Sequence, residues 1–485
     1  MRTLFIDIDT LRPDHMGCYG YDRNTTPNID QISKEGIRFN NYYCSDAPCL
    51  PSRASLISGM FGIRNGAVGH GGTAADRRLS AKDRDFQDYI DQGCLHNIFR
   101  KAGCYTASIS TFPERHSSWW FNAGLNETHN VGGCGGESGE KVLPVALDWL
   151  DNKGQDDNWY LHVHLWDPHT PYRAPESFGD PFENEPLTTW IDQEVFDEHL
   201  KHVGPHCINE INMYNSNPNP NLPRHLAKGE NLEDLKKIMD GYDTGIRYAD
   251  YLVGQIFDRL KQLGIYDDVA IIISSDHGEN MGELGLYAEH ATADQPTCNI
   301  PFIMKWPGAV EGHVDNEFHY SLDLLPTLSD LLKVDKKSHW DGLSYSETVM
   351  EGADQGRDSL VISQMAHVCQ RSARFDDWLY IRTYHDGFHL FDDEMLFNLK
   401  DDKYEQNNLC EKHQDLCAKG AKIILDWQDE QMKKSSSNID PLWTVMKEGG
   451  PSHTLGHLDN YLIRLENTGR SEGAKKLREK YKPEA

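Results

Sequence analysis

The chain of 485 residues has no long apolar run, no paired-cysteine signature and no surplus of positive charge. Each absence excludes a class of protein. A membrane-crossing helix needs about 20 successive apolar residues, and no stretch approaches that, so no membrane partner is expected. The eleven cysteines are scattered, odd in number and never spaced Cys-x-x-Cys, which argues against a zinc ribbon and a disulfide framework. Thiols left reduced suit the cytoplasm. Met1-Arg2-Thr3-Leu4-Phe5-Ile6-Asp7 enters a strand pattern at once, with no room for a signal peptide, so a cytoplasmic location is the expectation. Lys and Arg number 48 against 76 Asp and Glu, a formal charge of −28. Such a field repels nucleic acid and long sulfated polymers, whereas a small anion responds mainly to the charges of its own pocket. No internal repeats occur, and the length suits one large domain with a smaller companion.

What the chain does carry is polar residues placed where apolar runs end. Arg2 to Asp9 reads as a buried strand with Asp7 and Asp9 on one face, since the strand period is two. Val269-Ala270-Ile271-Ile272-Ile273 is a continuous apolar run, as in a central parallel strand, and closes on Asp276-His277-Gly278. Two carboxylates after one strand and an Asp-His pair after another describe a mixed oxygen and nitrogen cation site at a single sheet edge. Oxygen ligands suit a hard cation, and the imidazole keeps Mg²⁺ or Mn²⁺ open.

The third element is Pro48-Cys49-Leu50-Pro51-Ser52-Arg53-Ala54-Ser55-Leu56-Ile57-Ser58-Gly59. Pro51 suits the first turn of a helix and Gly59 its stop. Cys49 therefore sits at a helix N-terminus, where free N–H groups favour a thiolate or a bound oxyanion, and Arg53 falls on the same face, able to point back at that anion. His70 lies in a glycine-rich loop beyond and is a candidate substrate contact. His162 and His164 share one strand face and read as packing against the sheet, with no third zinc ligand at hand.

Strands and helices alternate through most of the chain. Thr26 reads as the cap of a helix ending near Gly36, followed by a strand from Ile37 to Tyr43, and a helix from Gln92 to Ala102 precedes a strand from Tyr105 to Ile109. A helix from about Lys141 to Asn152 leads to a strand from Trp159 to Trp166, and a long amphipathic helix runs from Asn231 to Leu263. Asn122 to Gly139 reads as loop, and Pro171 to Lys228 as a long insertion over the site mouth. The expected fold is therefore α/β, a large mostly parallel sheet sandwiched by helices over residues 1–360, with a smaller α+β subdomain over 361–485. In that subdomain Trp378 to Tyr384 and Gly387 to Phe391 read as short strands of an antiparallel sheet, and 438–485 as a charged helical tail carrying His453 and His457.

The Cys49 segment resembles the signature of the formylglycine-dependent sulfatases, in which a cysteine followed by x-Pro-Ser-Arg is oxidised to an aldehyde. Asp9-Thr10-Leu11-Arg12-Pro13-Asp14-His15 is similar to the family's opening motif, and Asp167-Pro168-His169-Thr170-Pro171 to another of its segments. The resemblance implies an alkaline phosphatase-like fold and hydrolysis of a sulfate ester on a small sulfated saccharide. Asp7, Asp9, Cys49, Asp276 and His277 would hold Ca²⁺. Cys49, matured to formylglycine by a formylglycine-generating enzyme, would supply the hydroxyl nucleophile, and Arg53 would steady the sulfuryl charge. His116, His169 or His290 would protonate the leaving alcohol. Two departures stand out. Thr10 replaces a second carboxylate, leaving open whether Asp7 completes the cation shell. Lysines that the family gives to the sulfate are missing: His116, with Arg115 as a cationic stand-in, occupies one such region, and Ala288-Glu289-His290 the other, where the role passes to His290. A phosphonate or phosphate ester hydrolase, and a silent sulfated-glycan-binding protein, are the alternatives.

Overall fold

A computed structural model describes residues 1–75, 93–187 and 189–482. Gln92, where the helix expected to run to Ala102 begins, lies outside the described residues. Among those described, eight strands form one sheet in the order β11-β2-β10-β7-β1-β6-β4-β5. They are β1 (Arg2–Ile8), β2 (Ile37–Tyr43), β4 (Tyr105–Ile109), β5 (Glu127–His129), β6 (Trp159–Leu165), β7 (Val269–Ser274), β10 (Phe302–Lys305) and β11 (His313–Tyr320). Only β10 runs against its neighbours; every other pairing in the sheet is parallel.

Both faces of the sheet are covered, so β6 and β7 are buried along their whole length. On one face the long helix Leu232–Gln262 and the helix Gly139–Lys153 cover Leu4, Ile6, Val163 and Ile271. On the other, Phe5, Tyr160 and Ile272 meet Leu50, Ala54 and Ile57 of the helix Cys49–Ser58. Asp7 is level with His164 of β6 and Ser274 of β7. The chain therefore leaves three adjoining parallel strands at one height, which sets Asp9, Asp167 and Asp276 along one sheet edge.

A second sheet has the order β15-β14-β13-β12-β3, built from β12 (Ser359–Gln364), β13 (Cys369–Phe375), β14 (Trp378–His385), β15 (Glu394–Asn398) and the short β3 (Asp46–Ala47). β3 comes just before Cys49 and pairs with β12, so the small sheet grips the chain where the site begins. Two further strands, β8 (Asn280–Met281) and β9 (Tyr287–Glu289), make a hairpin before His290.

Local chemistry overrode several sequence expectations. Gly387 to Phe391 is a turn, not a strand: Asp386 accepts from the Phe388 N–H at 2.8 Å, and Phe388 and Leu390 take φ of 75° and 60°. The loop expected after Asn122 contains β5, which pairs with β4. Thr26 precedes its helix but caps nothing; its hydroxyl donates to Asp30, while Asp250 of the long helix accepts from Asn28 and Ile29 N–H groups at 3.0 and 2.9 Å. A distant carboxylate thus does what the local hydroxyl was expected to do. Among the described residues, no helix is long and apolar enough to cross a membrane.

Candidate active site

The helix Cys49–Ser58 begins at the cysteine and ends at Gly59, whose φ of 68° is the left-handed stop that favours glycine. Ser52 Oγ donates to the Asp276 carbonyl at 2.6 Å, tying the first turn of the helix to the end of β7. Cys49 Sγ lies 3.0 Å from His277 Nε2, and His277 Nδ1 donates to the Gly278 carbonyl at 2.9 Å, which fixes the ring. Ligand atoms of Asp9, Cys49, Asp276 and His277 all fall within 4.8 Å of one another, and all four residues are buried. Asp9 Oδ1 and Asp276 Oδ2 have no hydrogen-bond donor among the described residues.

Arg53 is turned toward these carboxylates rather than toward an open anion pocket. Its guanidinium pairs with Asp7, lies 3.0 Å from Asp9 Oδ2 and 3.2 Å from Asp276 Oδ2, and meets His164 Nε2 at 2.9 Å. One guanidinium thus faces three buried carboxylates, and Asp9 Oδ1 is left without a hydrogen-bond donor among the described residues. Asp7 is not among the four clustered residues; it faces Arg53 and His162, the latter at 3.1 Å. His162 and His164 therefore do more than pack: each bonds a carboxylate on one side and a serine hydroxyl of the β4 edge, Ser108 or Ser110, on the other. Their alternation on β6, beside the Asp7 and Asp9 alternation at the end of β1, was the signal available in the sequence. Thr10 contributes its N–H to Asp276 Oδ1 at 3.4 Å and takes φ of 59°, unusual for a β-branched residue.

Imidazoles close the other side. The His290 ring lies 4.1 Å from that of His277, with Nε2 2.9 Å from Glu289 and Nδ1 3.4 Å from Glu279. His169 is 5.3 Å from His290 ring to ring; its Nδ1–H donates to the Thr170 carbonyl, and its Nε2 is buried without a partner among the described residues. His116 and His70 have ring centroids 5.1 Å apart, and His453 and His367, which sequence reasoning did not join to the site, stack next to them. Arg115 is exposed on the Trp166 ring at 5.2 Å, and Arg173, also missed, lies 3.4 Å from the His169 carbonyl.

A family model described as Sulfatase matches residues 2–334 of this chain. The chain belongs to the sulfatase family. It is a sulfuric ester hydrolase with the mostly parallel, helix-flanked sheet of the alkaline phosphatase-like sulfatases. Choline-sulfatase of Rhizobium meliloti is 26% identical over 440 residues, which cover 79% of this chain and 77% of that protein. Arylsulfatase of Clostridium perfringens is 23% identical over 470 residues, 84% of this chain and 89% of that one. Among solved structures, one in complex with its substrate D-glucosamine-2-N,6-O-disulfate superposes with a TM-score of 0.71 at 19% identity, covering 91% of this chain and 99% of that one. A phosphonate monoester hydrolase of Agrobacterium radiobacter superposes with a TM-score of 0.66 at 19% identity, covering 89% and 96%.

The electrostatics of this sulfatase follow from burial against close partners. Burial opposes ionisation of Cys49, yet the His277 charge with hydrogen bonds from His116 and His277 holds the thiol well below its ordinary range. Burial pushes Asp276 up to about 7 although Arg53 opposes it. Asp9 goes the other way: burial would raise it, but the His164 hydrogen bond and the charges of His169, Arg53 and His277 hold it low. For His290, burial disfavours the proton and Glu289 outweighs it, so the ring stays an imidazolium with both N–H groups facing carboxylates.

Proposed function

We propose that this sulfatase removes sulfate from a small sulfated saccharide, with Cys49 matured to formylglycine and a hard divalent cation, Ca²⁺ foremost and Mg²⁺ or Mn²⁺ as alternatives, held by Asp9, Asp276 and His277. The carrying observation is Cys49 at a helix N-terminus, 3.0 Å from His277 and grouped with two buried carboxylates that have donorless oxygens. Bound there, the cation and the hydrated aldehyde would together supply an acidified hydroxyl able to attack sulfur. The carbohydrate assignment draws on neighbours whose names specify D-glucosamine-2-N,6-O-disulfate and a 2-O GAG sulfatase.

The chain's own side chains take distinct parts. Arg53 balances the carboxylates and fixes Asp9 against Asp276. His290, held as an imidazolium by Glu289 and Glu279, stands as fixed positive charge where the family places a lysine. His169 presents an unprotonated Nε2, since its Nδ1–H is committed to Thr170, and so suits proton transfer at a substrate or nucleophile hydroxyl. His116, with its ring 5.1 Å from that of His70, lies further out, and His70 and Arg115 act as substrate contacts. The absence of a disulfide among the described cysteines supports action in the cytoplasm, a reducing compartment.

The test is anion release, followed by ion chromatography, from sulfated mono- and disaccharides and a phosphonate monoester, with protein co-expressed with a formylglycine-generating enzyme. Sulfate released from a saccharide supports the proposal. Cleavage of the phosphonate alone would transfer the chain to the phosphonate hydrolases, and binding of saccharides without any release would make it a glycan-binding protein.

A further inference from the structure

Beyond the carboxylate cage, a row of imidazoles continues from His290, and the reaction assigns no part to His367 or His453 within it. His367 is the next ring after His290, with 5.9 Å between centroids; His453 stacks on His367 at 4.0 Å with 8° between rings, and His70 Nδ1 meets His453 Nε2 at 3.3 Å. The three come from separate places: the loop after the short helix Gly62–Asn65, the turn between β12 and β13, and the segment before the helix Leu458–Asn467. His367 is buried, whereas His70 and His453 are half-buried, so the row reaches from the surface to the site. His70 Nε2 and His367 Nδ1 are enclosed and have no partner among the described residues. Enclosed polar atoms without partners are rare in folded proteins and mark places where a ligand or water completes the bonding.

The loops are built to keep this row. A Cβ on Gly69 would meet the Met365 carbonyl at 3.1 Å, and one on Gly71 would strike Ser452 at 2.8 Å. The His453 N–H donates to the Ala366 carbonyl at 3.2 Å, and Gln364 Nε2 to the His290 carbonyl at 2.9 Å, so the turn bearing His367 is tied to the segments of both neighbours. Burial and the neighbouring imidazoles hold all three rings below their ordinary range, His453 at about 4, so they are neutral at pH 7. A neutral imidazole has one donor and one acceptor nitrogen. In the His70–His453 bond one ring donates and the other accepts; whichever way it runs, the two nitrogens left over are one N–H and one lone pair. A hydroxyl, which both donates and accepts, complements that pattern. A second sulfate only accepts, and it would also lie near the Glu289 carboxylate, whose Oε1 is 3.8 Å from His367 Nε2.

We infer that His70, His367 and His453 form a subsite for the uncharged hydroxyls next to the sulfate ester, so that the substrate is a saccharide whose sulfated ring carries a single sulfate. On the sulfatase reading proposed above, these rings set which saccharide is cleaved, while the cage and Cys49 set the reaction. A site built to bond a hydroxyl rejects the analogue lacking it, because its own buried polar atoms are then left unpaired. The same rings reject a second sulfate, whose charge would have to be met by protonating imidazoles that burial keeps neutral.

The test is calorimetric binding to full-length, Ca²⁺-loaded Cys49→Ala protein, with sulfate release by the matured wild type measured on the same panel: monosulfated glucosamine and galactose, their disulfated counterparts and their single-deoxy analogues. Monosulfated sugars are expected to bind, and removing one hydroxyl beside the ester, or sulfating it, should weaken binding at least about 10-fold. Adding His367→Phe keeps a ring for His453 to stack on but no nitrogen. It should weaken the monosulfated sugar to the level of its deoxy analogue and leave that analogue within about 3-fold, a split that a merely structural loss would not give. Disulfated or deoxy sugars bound as tightly as the monosulfated ones, or equal losses for every sugar in His367→Phe, would overturn the inference. Should the His367→Phe variant not fold, the comparison of sugars on the Cys49→Ala protein decides. Sulfate release without discrimination would sink the subsite and leave the proposed function standing; discriminating binding without sulfate release would do the reverse, and neither binding nor release would overturn both.

Discussion

Asp9, Asp276 and His277 stand at the ends of adjoining parallel strands, whereas His70 and His453, which touch at 3.3 Å, hang from loops 383 residues apart in sequence. The two halves of the site are thus positioned by different means. Backbone pairing of β1, β6 and β7 fixes the carboxylate half before any ligand arrives. The histidine half depends on loop packing at Gly69 and Gly71 and on the small sheet that holds Cys49 through β3. Charge divides the same way, for the first half is anionic around one guanidinium and the second is a set of imidazoles around Glu289.

The largest effect belongs at the seam between the halves. Cys49→Ala should cut sulfate release by on the order of 10⁴-fold or more, as loss of a nucleophile does, without lowering the melting temperature. A variant keeping wild-type release would break the link between the halves. Next comes Arg53→Met. Removing one partner of a buried ionic network costs about 3–5 kcal/mol. The loss should show as a lower midpoint in urea in EDTA and shrink when Ca²⁺ is added, because a cation in the cage compensates the same carboxylates. A loss that Ca²⁺ leaves unchanged would mean the cage holds no ion.

In the histidine half, His169→Asn keeps a group able to bond near Thr170 but removes the free Nε2. General acid or base catalysis contributes about 10²–10⁴-fold. We expect a fall in kcat of roughly 10²-fold with little change in KM and a flattened pH–rate profile. If KM alone rises, His169 binds substrate without moving a proton.

The contrast also explains what could be read from the chain. Asp9, Cys49 and Asp276-His277 each sit where an apolar run or helix begins or ends, so period and helix-end chemistry exposed them, and the parallel sheet came with them. His367 and His453 carry no such local mark; only the folded loops bring them to His70. Arg53 was placed on the correct helix face, but its direction depended on three carboxylates from two other segments. β12 and β13 escaped because both their faces are buried, so alternation is lost, β11 because it is a part-exposed edge strand whose register shifts between Asp315 and Phe318, and the Gly387 turn deceived because Phe388 and Leu390 take left-handed backbone that apolar residues rarely adopt.

The smallest expected effect separates the halves by pH. Burial, with the neighbouring imidazole of His162, His202 or His206, holds His96 at about 3 and His199 and His225 at about 4. A folded pKa below the ordinary 6.5 means the unfolded chain takes up protons first on acidification. The stability these rings contribute is therefore complete above pH 6.5 and is lost as pH falls toward 4. Asp167 and Asp250 act oppositely: burial raises both to about 6, so they favour the fold more as pH drops below 6. One pKa unit is worth about 1.4 kcal/mol, so three histidines against two aspartates leave a net loss of a few kcal/mol between pH 7.5 and 5. The melting temperature in fixed, saturating Ca²⁺ should be lower at pH 5 than at 7.5, and His199→Phe or His225→Phe should narrow the gap. A melting temperature that holds or rises on acidification would show that the buried carboxylates, not the imidazoles, govern the acid response of this fold.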